Sequence, residues 1–113
     1  MLGGMAALDI PEPVASFIDA VNRHDEQAFL DAFAHGGYVD DWGREFRDRD
    51  QIKAWSDKEF IGAQGTLTPE ELDIEGDVIT VKGDWASTHA NGFSSFEFVT
   101  DGDTIASMTI REG

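Results

Sequence analysis

A chain of 113 residues, 41% of them hydrophobic and 11% aromatic, suits one modest core. Its 23 acidic and 8 basic residues leave a formal net charge of −15, which repels nucleic-acid backbones and anionic membrane surfaces alike. Cysteine is absent, so disulfides, thiolate nucleophiles and cysteine zinc sites are excluded, and no apolar run approaches the roughly 20 residues of a membrane-spanning helix.

The opening stretch MLGGMAALDI has neither the basic n-region nor the long apolar segment of a signal peptide. Residues 1–10 are expected to form a flexible N-terminus and 11–113 a single domain, with the cytoplasm as the default location. Val14, Phe17, Ile18 and Val21 fall at i, i+3, i+4 and i+7, the spacing of an amphipathic helix. Asp25 suits the N-cap of a second helix, with Glu26 in its first turn and Phe29, Leu30 and Phe33 on its apolar side. Gly36 and Gly37 are expected to end that helix, with His35 in its last turn and His24 facing solvent between the helices.

The strand YVDDWG follows, then the charged stretch REFRDRD, and a third helix is expected from about Asp50 to Ile61. After Gly62 the period changes. TLTPEELDI reads as a broken strand whose Pro69 marks an edge or a bulge. VITVKGDWAS alternates, with Ile79, Val81 and Trp85 on one face, and NGFSSFEFVT and TIASMTIRE complete a meander punctuated by EGD and DGD turns. Helices first and antiparallel strands last predict an α+β fold, with the helices packed on one face of a curved sheet. Such a cone leaves a hollow, and a hollow lined by Phe and Trp suits a small apolar molecule.

Asp40 and Asp41 are adjacent within a strand, so they point to opposite faces. Asp41 shares the face of Val39, and Asp40 takes the other. Asp41 is the candidate base for proton abstraction beside a carbonyl. The alternative pairs Asp41 with Arg44, Arg47 or Arg49 as a structural ion pair. DRD and DGD lack the full calcium-loop pattern and no metal site is expected. Ser94 and Ser95 lie in no G-x-S-x-G string, so neither is a nucleophile elbow. THANG resembles a loop, although its His89 shares a face with Trp85 if the strand extends that far.

The strings FIDAVNRHD, YVDDWG and RDQIKAW, in this order and spacing, resemble the nuclear transport factor 2-like superfamily, which includes ketosteroid isomerase and the SnoaL-like polyketide cyclases. The similarity runs from about Val14 to Arg111. It implies a cone-shaped α+β barrel in which three N-terminal helices pack on a curved, mainly antiparallel sheet, often as a homodimer, with a pocket between helices and sheet. By this resemblance Asp41 matches the proton-shuttling Asp of the isomerase, so its face, shared with Val39, is expected to lead inward and Asp40 to point outward, and Trp55 matches an aromatic pocket residue. The isomerase's oxyanion-hole Tyr is matched by Phe17, and its protonated Asp by Ser94 or Ser95, and none of these replaces a protonated acid as a donor. The expected site is therefore Asp41 as acid/base, with Phe17, Val39, Trp42, Trp55, Trp85, His89, Ser95 and Met108 around the ligand. The chemistry expected is cofactor-free proton transfer by an isomerase or cyclase. The competing expectation is a non-catalytic ligand-binding or dimerisation module.

Overall fold

The computed structural model describes residues 8–113. The expected flexible segment 1–10 thus lies mostly outside the described residues. Helices α1 (Val14–Asn22) and α2 (Glu26–Asp31) precede strands β1 (Phe33–Asp41) and β2 (Arg44–Arg47), and helix α3 (Asp48–Glu59) follows. Strands β3 (Thr66–Glu75), β4 (Val78–Ala86), β5 (Gly92–Asp101) and β6 (Thr104–Glu112) complete the chain. All six strands form one sheet in the order β2-β1-β6-β5-β4-β3, antiparallel throughout except where β1 runs parallel to β6. The fold is the expected α+β class, and the curved sheet stays open instead of closing into a barrel.

Local chemistry explains most element boundaries. The Asp25 carboxylate accepts from the Ala28 N–H at 3.1 Å, capping α2. Asn22, from the FIDAVNRHD string, clamps the helical layer to the sheet. Its side chain donates to the Leu67 carbonyl and accepts from the Leu67 N–H, both at 2.8 Å. His24 does not face solvent as expected. It is half-buried, with Nε2 2.9 Å from the Gly65 carbonyl. Pro69 sits on the edge strand β3, and the register shifts between Pro69 and Glu71, the bulge its missing N–H favours.

Helix α2 is shorter than its apolar spacing predicts. It stops at Asp31, and Phe33, His35 and both glycines belong to β1. Phe33 pairs with Ile105 and packs edge-on against Phe17 and Phe29, so tertiary contacts outweigh the helical pattern. The glycines serve an irregularity in the β1–β6 register, not a helix end. Gly36 takes φ +81°, and a Cβ on Gly37 would lie 2.9 Å from the Ala34 carbonyl oxygen and 3.1 Å from that of Ile105. The charged stretch REFRDRD also hides a strand, β2, hairpinned to β1 through Trp42 and Gly43.

Strand parity sets the faces. Val39, Met108, Phe98 and Ile79 lie in register across β1, β6, β5 and β4, and Asp41, Ile110, Phe96 and Val81 form the next row on the same face. Apart from Asp41, every one of these is buried beneath the helices. The opposite face carries Asp40, Thr109, Glu97 and Thr80, with Arg111, Ser95 and Lys82 beside them. The deep end of the cone is full. Phe17 meets Phe29, Phe33 and Phe98 at centroid distances of 5.3–5.5 Å, and only about 10 Å³ remains free between Phe17, Val21, Phe60, Phe98 and Met108.

A hydroxyl therefore has no room and no partner at position 17. Phe17→Tyr is expected to cost about 1–3 kcal/mol, the penalty of an unsatisfied buried hydroxyl. Urea unfolding should show a lower midpoint at unchanged slope.

Candidate functional site

The open space lies at the mouth of the cone. A cavity of about 870 Å³ is bounded by the ends of β1, β4, β5 and β6, the end of α3 and the β4–β5 loop, a size typical of small-molecule sites. Its inner wall is an aromatic column. Phe46, Trp55, Phe60 and Trp85 stack in succession at centroid distances of 5.7, 4.7 and 4.6 Å, with interplanar angles of 24°, 25° and 13°. Gly65 lets Trp85 lie there, since a Cβ at that position would meet the indole ring at 2.2 Å.

A polar chain crosses the mouth. Asp41 Oδ2 accepts from the Trp55 indole N–H at 3.0 Å and from the Arg44 guanidinium at 2.5 Å. The same guanidinium donates twice to Glu59, at 2.7 and 3.1 Å. His89 Nε2 lies 3.2 Å from Glu59 Oε1. The β4–β5 loop holds His89 in place through Ser87, whose Oγ accepts from the backbone N–H of His89 and of Ala90 and donates to the Ala90 carbonyl. The two hydrogen bonds from Arg44 hold Glu59 below the ordinary range of a glutamate, against the opposing effect of burial. Arg44 is raised correspondingly, first by its bonds to Glu59.

Asp41 thus lies on the inward face with Val39, at the cone's rim. It is paired with Arg44, the alternative left open by the sequence. Asp40 points to the other face but is not free in water. Arg111 grips both its carboxylate oxygens at 3.0 and 3.1 Å and lowers its pKa.

Compared by sequence, the chain matches no protein-family model and no curated protein. Comparison of folds is decisive. A protein from Sinorhizobium meliloti described as a proposed polyketide cyclase superposes with a TM-score of 0.80 at 23% identity, over 91% of this chain and 96% of that one. The chain has the nuclear transport factor 2-like fold. A protein with a ketosteroid isomerase-like fold from Catenulispora acidiphila, in complex with trimethylamine, gives a TM-score of 0.76 at 21% identity, covering 92% of this chain and 87% of that one. SalBIII, an epoxide hydrolase/cyclase-like enzyme of pyran ring formation in the polyether salinomycin, gives 0.79 at 19% identity, over 88% and 87% of the two chains.

Within this nuclear transport factor 2-like frame, Asp41, Trp42, Trp55, Trp85 and His89 all border the mouth cavity. The other expected residues do not. Phe17 and Met108 close the filled deep end and Val39 is fully buried core. Ser95 projects from the outer face, between Lys82 and Arg111, and Ser94 is the serine at the cavity. Trp42 is not a strand residue but the first residue of the β1–β2 turn, at φ +55° and 60% exposed. His89 reaches the cavity from the loop that THANG suggests. Glu59 was legible only as a helical-spacing partner of Trp55. A carboxylate one turn from a core tryptophan, on the same helix face, is the signal that marks it.

The charge linkage has a definite sign. Glu59 has a folded pKa below its unfolded one, so its pairing stabilises the fold above the ordinary glutamate range, about pH 4.3, and is lost as pH falls through the lower folded value. Glu59→Gln should lower the melting temperature at pH 6–7. The gap from wild type should shrink steadily in thermal melts taken toward pH 3. Arg44 is half exposed, which keeps the effect modest.

Proposed function

We propose that this chain is a small-molecule-binding domain of SnoaL-like type, whose ligand occupies the mouth of the cone. The observation that carries the reading is the cavity of about 870 Å³ lined by Trp42, Trp55 and Trp85, beneath which the core is filled. Relatives in fold add support: one is a complex with trimethylamine and another takes part in pyran ring formation. Nile red, a neutral dye that brightens in apolar sites, should bind the protein saturably. Trp85→Ala, which removes part of the inner wall, should weaken that binding severalfold. Unchanged affinity would place the dye elsewhere and count against the cavity.

A second reading makes the same site an isomerase or cyclase without a cofactor, with Asp41 as acid/base. It is favoured by the division of labour within that carboxylate. Oδ2 is anchored by Arg44 and Trp55, while Oδ1 has no hydrogen-bond partner among the described residues, and Asp41 and Trp55 both border the cavity. Anchoring one oxygen orients the other for proton transfer. Against a strong oxyanion hole stand Phe17, buried and without a hydroxyl, and Ser94 where an acid would be needed. Exchange of the α-protons of 2-tetralone in D₂O, followed by NMR, tests this. Wild type should accelerate exchange and Asp41→Asn should not, while still binding Nile red. Because Arg44 retains Glu59, the substitution leaves no stranded guanidinium and should keep the fold. Absence of acceleration by wild type leaves the binding domain alone.

The partner proposed for the outer sheet face is a second copy of the chain. Tyr38, Val99 and Val78 lie in one register row there, with Ser107 between Tyr38 and Val99. Light scattering at micromolar concentration should give twice 12.4 kDa, and a clean monomer would exclude it.

A further inference from the structure

We propose that the mouth cavity selects an organic cation, a substituted ammonium group carried on an apolar body. The inference rests on the reading of this cavity as a ligand site and names the ligand's charge. Three observations carry it.

The first is a surplus of carboxylate. Asp41, Glu59 and Glu112 border the cavity, against the single guanidinium of Arg44. Glu112 has no ion-pair partner among the described residues, and one oxygen of Asp41 is likewise free. The carboxylates outnumber the cationic side chains of the lining, inside a chain of charge −15. Field lines focused in a cleft of one sign concentrate ligands of the other.

The second is the state of the one cation present. Arg44 points both terminal nitrogens at carboxylates, Nη1 to Glu59 and Nη2 to Asp41 and Glu59. The Nε–H and one Nη1 hydrogen keep no partner, but these two do not form a parallel fork, so a two-pronged grip on an anionic ligand would break that network. The usual recognition of a carboxylate or phosphate by a bidentate arginine is therefore blocked.

The third is the supply of bare aromatic faces. Only four large hydrophobic side chains are exposed among the described residues, and one of them, Trp42, stands at this cavity, 60% exposed. It neither stacks on another ring nor carries a guanidinium among the described residues, whereas Trp55, Phe60 and Trp85 spend their faces on one another. An open indole beside uncompensated carboxylates is the arrangement that holds quaternary and alkylated ammonium groups, which bind aromatic faces and need no directional acceptor. A neutral apolar ligand would use the rings and leave the charge without a role. An anion would meet repulsion.

Three probes with the same tert-alkyl head test the charge alone: choline, the neutral 3,3-dimethylbutan-1-ol and the anionic 3,3-dimethylbutanoate. Each is titrated against the wild-type protein by tryptophan fluorescence and by displacement of Nile red. Choline should bind about tenfold or more tighter than the alcohol, and the butanoate weakest. Trp42→Leu, which keeps an apolar side chain but removes the ring, should weaken choline by about 2- to 30-fold and leave the alcohol nearly unaffected. Glu112→Gln should reduce the preference for choline in the same direction. Equal binding of choline and the alcohol would overturn the inference. If Nile red binds and choline does not displace it, the ligand cavity stands and its cation selectivity falls. If choline binds and Nile red does not, the cation reading stands and the apolar one falls. If neither binds to wild type, both fall. Thermal melts of each variant establish that a loss of binding is not a loss of fold.

Discussion

The aromatic column is the constraint on which the architecture turns. Phe46, Trp55, Phe60 and Trp85 come from β2, α3, the segment after α3, and β4, so one stack joins the edge strand β2 to β4, the neighbour of the other edge, through the helix between them. Offset stacking adds about 0.5–1.5 kcal/mol per pair beyond the area buried. It also fixes where space can remain. Below the column Phe17, Phe98 and Met108 fill the cone, and above it the outer edges of Trp55, Phe60 and Trp85, themselves largely buried, border the cavity. A single row of side chains therefore separates core from cavity.

The polar chain at the rim depends on that wall. Trp55 buries its ring in the stack and directs its indole N–H outward to Asp41. A buried indole requires such a partner, so packing in the core places the carboxylate. Arg44 then joins Asp41 to Glu59, which arrives one turn beyond Trp55 on α3, and Glu59 meets His89 from the opposite loop. Four charged or polar groups from β1, the end of the hairpin, α3 and the β4–β5 loop converge because a single tryptophan is fixed. The cost is a tight turn. Trp42 at φ +55° is strained for a residue with a Cβ, a conformation worth roughly 1–2 kcal/mol, and the turn carries an exposed indole to the cavity's edge.

The order of elements and the two faces of each strand were legible in the chain, and the inward direction of Asp41 followed from the family resemblance. Periodicity is a local property, and a residue pair such as Asp40 and Asp41 cannot share a face whatever surrounds it. The α2 cap at Asp25, the bulge at Pro69 and the burial of Ile79, Val81 and Trp85 follow from the same kind of local rule. Where the structure differs, a distant partner decided. Phe33 continues a helical pattern yet joins β1, because Ile105 lies seventy residues on and offers a strand to pair with. REFR reads as a charged coil until the Trp42–Gly43 turn folds it against β1. Ser95 and Ser94 could be told apart only once the register with Lys82 and Arg111 was set. Whether Phe17 faces a cavity or fills one depends on how far Phe98 and Met108 reach toward it. Hydrophobic spacing says which side of an element turns inward, but volume and ion pairing are sums over residues far apart in the chain. Only their packing decided that the depth of the cone is solid, its mouth is open, and Asp41 is held by Arg44.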